Sequence, residues 1–164
     1  MWRLRESFIR ARESYMSYQV NAKSVAICDT EPIAIEGIRM LLGQCEDLRL
    51  AAAETSLLGG MEIVRQYTPT IMILDKGFGI YAVMDCLQRL RGLGSGVATI
   101  VWGVNLNETE ALRMMQVGAL GWCARRLLWR RYWTACARWA RGEPSWRRAC
   151  CMSPSARRAA NART

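Results

Sequence analysis

The chain has 164 residues, of which 51% are apolar, and carries a formal net charge of +9 with no histidine. That length allows one domain with a genuine core and excludes two full domains joined by a linker. The apolar share excludes a disordered chain, and no run approaches the roughly 18 apolar residues that span a bilayer.

Residues 1–22 form an N-terminal extension without a clean period, although Phe8, Ile9, Tyr15 and Met16 suit a short amphipathic helix. Arg3, Arg5, Glu6, Arg10, Arg12 and Glu13 interrupt any apolar core of a signal peptide, so the cytoplasm is the expected compartment. Met16 is an alternative start to Met1.

From Ser24 the pattern becomes regular. Ser24–Cys28 reads as a strand ending in Asp29, and Pro32 sits where a first helical turn tolerates proline, before a helix over Ile33–Leu42 that stops at Gly43. Leu48–Glu54 is a second strand, and Leu57–Tyr67 a second helix weakened by Gly59 and Gly60. Thr70–Leu74 is a third strand ending in Asp75, followed by a helix over about Tyr81–Arg91 with Met84, Leu87 and Leu90 inward. Ala98–Trp102 is a fourth strand, Glu108–Val117 a fourth helix and Leu120–Cys123 a fifth strand. Leu128, Trp129, Tyr132, Trp133, Cys136 and Ala140 make an apolar stripe for a fifth helix ending at Gly142, a residue suited to a helix C-terminus. Strands alternating with helices predict an α/β fold with a parallel sheet covered on both faces.

In such a sheet the crevice at the C-terminal ends of the strands holds the site. Asp29 and Asp75 fall at two of those ends. Side by side they would repel one another unless a cation lay between them, and this pairing makes them the candidate site. The seven cysteines contain no CxxC pair, and with no histidine a zinc site is not expected. Cys28, Cys86 and Cys123 lie in apolar runs and read as small buried hydrophobes. Without histidine, a nucleophile–base pair or a P-loop, an independent enzyme is not expected either.

The segment Asp29-Thr30-Glu31-Pro32, followed by Glu36-Gly37-Ile38-Arg39-Met40-Leu41-Leu42, resembles the opening of NarL/FixJ (LuxR-type) response-regulator receivers. Ile71–Asp75 resembles the strand that carries the phosphoacceptor, and Gln116–Trp122 the family's Ala-Gly-Ala-x-Gly-Tyr segment. The resemblance covers about residues 24–143 and implies a flavodoxin-like (βα)5 receiver over residues 23–143, sheet order 2-1-3-4-5. It implies a two-component phosphorelay, in which a sensor histidine kinase phosphorylates Asp75. Mg²⁺ would be held by Asp29, Asp75 and the carbonyl of Gly77, with transcription regulation as the outcome. Arg125 matches the family's lysine, and Trp122 its switch aromatic.

Several residues depart from that pattern. Thr30 replaces the second acid of the pair, with Glu31 one residue on as a partial substitute. Arg125 is a planar fork where a compact ammonium is usual. Gly103 stands at the Ser/Thr position and has no hydroxyl, and the loop after Asp75 reads Lys76-Gly77-Phe78-Gly79-Ile80. Two readings therefore stay open: a phosphorylatable receiver with weakened Mg²⁺ binding, or a phosphorylation-independent pseudo-receiver that binds partners or dimerises. The homodimer face would be the fourth helix, fifth strand and fifth helix.

Residues 125–164 hold eleven arginines and one acid, Glu143, so the basicity belongs to the end of the chain. Residues 144–164 read as a basic disordered tail, with a nucleic-acid arm as the competing reading. They are too few for a helix-turn-helix output domain, so DNA binding is not expected of this chain, which fits a truncated or frame-changed regulator.

Overall fold

A computed structural model describes residues 22–105 and 107–125. The expected fifth helix and the basic tail, like the N-terminal extension up to residue 21, lie outside the described residues.

Among the described residues, five strands alternate with four α-helices. They are β1 (Lys23–Cys28), α1 (Pro32–Leu42), β2 (Leu48–Glu54), α2 (Leu57–Tyr67), β3 (Ile71–Asp75), α3 (Ile80–Gly92), β4 (Ala98–Gly103), α4 (Glu108–Val117) and β5 (Gly121–Ala124), with a 3₁₀ turn at Lys76–Phe78. All strand pairs are parallel, and the sheet order is β2-β1-β3-β4-β5. β3 begins at Ile71 rather than Thr70 and ends in Asp75.

Strand side chains alternate between two apolar layers. Val25, Ile27, Ile71, Ile73 and Ile100 pack with Ile35, Ile38 and Leu42 of α1. Ala26, Cys28, Met72, Leu74 and Val101 face the other way, against Ile63 and Val64 of α2, Leu87 and Leu90 of α3, and Met114 of α4. Being apolar on both faces, β1 and β3 read as unbroken runs, which is how a parallel sheet covered on both sides looks in sequence.

Two details differ from expectation. On α3 the fully buried positions are Val83, Cys86, Leu87 and Leu90, while Met84 is only partly buried. Gly60 does not weaken α2 so much as allow it close to the sheet, since a Cβ there would lie 2.9 Å from Cys28 Sγ. Burial, with negative neighbours adding to it, raises the Cys28 thiol to about 12 and takes Cys86 to about 11. Both thiols therefore stay protonated and act as packing groups, as expected.

Candidate functional site

Strands β1 and β3 are direct neighbours, with Cys28 opposite Leu74. Asp29 follows the first strand and Asp75 ends the second, so the sheet itself brings the two carboxylates together. Asp29 is 0% exposed and Asp75 2%. Two buried carboxylates at this spacing need nearby positive charge or hydrogen-bond donors.

Arg125 supplies the charge. It follows β5, and its backbone N–H donates to the Gly103 carbonyl at 2.9 Å, which fixes where the side chain sets out. Nη2 then lies 2.5 Å from Asp29 Oδ2 and 3.1 Å from Asp75 Oδ1. Nη1 reaches Glu31 Oε2 at 3.0 Å. The guanidinium also stacks over the Trp102 ring, 4.6 Å from its centroid, where the ring face attracts a cation. Burial pulls the Arg125 pKa down, but its hydrogen bond to Asp29 and the surrounding carboxylates outweigh that and raise it.

The remaining carboxylate lone pairs meet donors from the chain. Thr30 donates its hydroxyl to Asp75 Oδ2 at 2.5 Å, and its backbone N–H points to the same oxygen at 3.4 Å. Asp29 Oδ1 accepts from the Glu31 amide at 2.8 Å, and Oδ2 from the Trp102 indole at 2.8 Å. Desolvation raises the Asp29 pKa, as does the charge of Asp75, against the lowering effect of the Glu31 amide and Arg125.

This arrangement does not fit Mg²⁺. That ion requires near-octahedral oxygen ligation at about 2.0–2.1 Å, whereas Arg125 Nη2 fills the gap between the carboxylates, 2.5 Å from Asp29 Oδ2 and 3.1 Å from Asp75 Oδ1. No group of three or more acidic, histidine or cysteine side chains suited to a metal occurs among the described residues. Glu31 does not complete the carboxylate pair; it pairs with the outer nitrogen of Arg125. Gly77 lies so close that an added Cβ would run into Asp75 Oδ2 and come within 2.8 Å of Thr30 Oγ1.

The other expected positions are placed as follows. Gly103 is buried at the end of β4, and the space beside it belongs to Lys76, since an added Cβ would lie 3.0 Å from Lys76 Cβ. Lys76 continues across to donate through Nζ to Glu110 Oε2 and to the Asn105 carbonyl. Glu110 is held by a capping box at the start of α4, in which Asn107 Oδ1 accepts from its amide at 2.8 Å. Trp122 lies half-buried on β5 opposite Val101; the aromatic that joins the carboxylates is Trp102. Sequence reasoning missed Trp102 as a site residue and treated Thr30 only as a lost acid. The Asn107-x-x-Glu110 capping pattern was the available signal for one end of the Lys76 bridge.

Solved structures show what this architecture resembles. Superposition on the RcsB receiver domain of Salmonella enterica serovar Typhimurium, in its apo form, gives a TM-score of 0.70 at 17% identity, covering 85% of this chain and 98% of that one. The signal receiver domain of NarL from Mycobacterium tuberculosis gives 0.68 at 15% identity, covering 74% and 98%. A LuxR-family two-component response regulator from Aurantimonas sp. SI85-9A1 gives 0.67 at 17%, covering 84% and 94%. The chain has the receiver fold. No protein-family model matches it, and no curated protein does. A doubly wound parallel sheet forms its ligand crevice at the C-terminal edge of the strands, and here that edge carries Asp29, Asp75, Arg125 and Trp102. No helix among the described residues is long and apolar enough to cross a membrane.

Proposed function

We propose that this chain is a receiver-type signalling module that works by binding a protein partner, without accepting a phosphoryl group on Asp75. The observation that carries this reading is the engagement of both Asp75 oxygens, Oδ2 by the Thr30 hydroxyl and Oδ1 by Arg125. A carboxylate nucleophile needs a free lone pair aimed at phosphorus and cations placed on the incoming oxygens. Here the cation sits on the nucleophile itself. Gly103 offers no hydroxyl to a phosphoryl group, and Lys76 is turned away to Glu110.

The kinds of protein that share the fold support a place in two-component signalling, since their names are those of response regulators and receiver domains. On this reading the chain is a cytoplasmic protein and not an enzyme. It works as a homodimer through the face of α4, β5 and the segment after it. Leu112 and Met115, exposed on α4, support that face.

A second reading keeps Asp75 as the phosphoacceptor of a sensor histidine kinase, with Mg²⁺ entering after Arg125 moves. It is favoured by Asp75 standing at the end of β3 with a cation 3.1 Å away. Intact-protein mass after incubation with acetyl phosphate and Mg²⁺ separates the two. The wild type is expected to gain no phosphoryl group beyond that of Asp75→Ala. A gain that disappears in Asp75→Ala would establish the phosphoacceptor and overturn the binding-only reading.

A further inference from the structure

We propose that the Arg125 guanidinium is the resident cation of this site, holding permanently the position between Asp29 and Asp75 that a dissociable divalent ion would require. A divalent cation site then lies latent beneath it.

Three observations meet here. First, a single nitrogen, Nη2, serves both buried carboxylates, at 2.5 and 3.1 Å. Any ion bridging those oxygens must occupy the same space, and two like charges at that separation repel strongly in a buried setting. Second, the guanidinium is fixed from three sides: the carboxylates in front, the Trp102 ring against its face, and Glu31 on its outer nitrogen. Its Nε is buried without a hydrogen-bond partner. The head group is thus placed by the carboxylates and the ring, at the cost of one unsatisfied donor. Third, Trp102 itself donates to Asp29 Oδ2, so the same indole holds the carboxylate and backs the cation. A planar, weakly hydrated guanidinium can stack and reach three carboxylates at once, which an ammonium cannot.

A tethered cation has consequences that a bound ion lacks. It has no dissociation equilibrium, so the site keeps its one positive charge at every concentration of divalent metal. The chain is therefore indifferent to Mg²⁺ as a ligand, and its fold gains nothing from the mass action that stabilises a metal-binding protein. Removing Arg125 leaves two adjacent buried carboxylates, which is the donor chemistry that Mg²⁺ and Mn²⁺ take.

The test is thermal unfolding of the full chain across 0 to about 10 mM MgCl₂ or MnCl₂ at constant ionic strength, chosen to bracket weak carboxylate sites. Electron paramagnetic resonance counts bound Mn²⁺ in parallel. Wild type is expected to show no saturable shift and no bound Mn²⁺. Arg125→Ala is expected to melt lower without metal and to regain roughly 5 °C with saturating metal. Adding Asp29→Asn to it should abolish that regain. A saturable response in wild type that Asp29→Asn removes overturns the proposal, as does a folded Arg125→Ala that binds no metal. Should Arg125→Ala not fold, the wild-type titration decides alone, no response upholding the proposal and a saturable one overturning it. This role of Arg125 goes with the phosphorylation-independent reading of Asp75, yet the two fail separately. Labelling of Asp75 without a metal response sinks only the latter, and a metal response without labelling sinks only the former.

Discussion

Two ion clusters stand at the same edge of the sheet, and burial separates them. In the first, Arg125 meets Asp29 and Asp75, with side chains 15%, 0% and 3% exposed. In the second, Lys76 meets Glu110 at the rim, with side chains 20% and 23% exposed. The buried cluster joins groups far apart in sequence and has donors on every carboxylate oxygen. The rim bridge ties the turn after β3 to the first turn of α4, and water reaches both partners. Charges taken out of water hold one another because losing either leaves the other uncompensated. Charges left in water add little, because solvent already does most of the work. The buried cluster therefore decides what the site can do, and the rim bridge decides how the loop beside it sits.

The largest test of that contrast is Arg125→Met, which strands two buried carboxylates and should cost about 3–5 kcal/mol of stability, read from the urea midpoint at constant slope. A cost under about 1 kcal/mol, the range of an exposed pair, would erase the distinction between the clusters.

Next comes Gly103→Thr. Its Cβ would press on Lys76 Cβ, 3.0 Å away, so the cost expected is about 1–3 kcal/mol from overpacking. The restored hydroxyl should give no acetyl phosphate labelling, because Asp75 remains engaged by Thr30 and Arg125. A stabilised variant would mean that Lys76 yields easily and that the rim is looser than its contacts suggest.

The smallest effect belongs to Lys76→Met, at most about 1 kcal/mol and shrinking with added salt. Its sign with pH sharpens the comparison. The hydrogen bond from Lys76 holds Glu110 below its ordinary 4.5, against an opposing effect of burial. The bridge therefore stabilises fully above that value, and the contribution is lost as pH falls through the lowered folded-state value. Asp29 behaves oppositely: burial raises it above 3.8, so the fold loses stability as pH climbs from there through the raised value. Stability curves between pH 3 and 6 should show Lys76→Met removing a loss on the acid side and Asp29→Asn removing one on the basic side. The same sign for both variants would contradict the difference in environment.

Much of the architecture is legible in sequence because its signals are local. Ile71–Asp75 is an apolar run that ends in an acid, and the helix signals around Pro32 and Asn107 lie within a few residues of the turns they start. The pairing of Asp29 with Asp75 also follows once the strand order is granted, since neighbouring parallel strands end together. The donors on that pair were not legible. Trp102 reaches Asp29 across the intervening β3 from 73 residues away, and Arg125 does so from 96. An indole near the end of an apolar strand looks like core. Thr30 looked like the absence of a carboxylate, whereas folded it is a hydroxyl aimed at Asp75 Oδ2.

By itself, then, the sequence determined five strands alternating with helices and an acid at the end of the first and of the third, because strand and helix periods and turn residues act over short spans of chain. Only the tertiary structure decided what stands between those acids. Which cation stands between two buried carboxylates depends on side chains just after β1 and β5 and at the ends of β3 and β4 converging within about 3 Å, a hydrogen-bonding distance. No local pattern encodes that convergence, since it exists only once the sheet has closed its order.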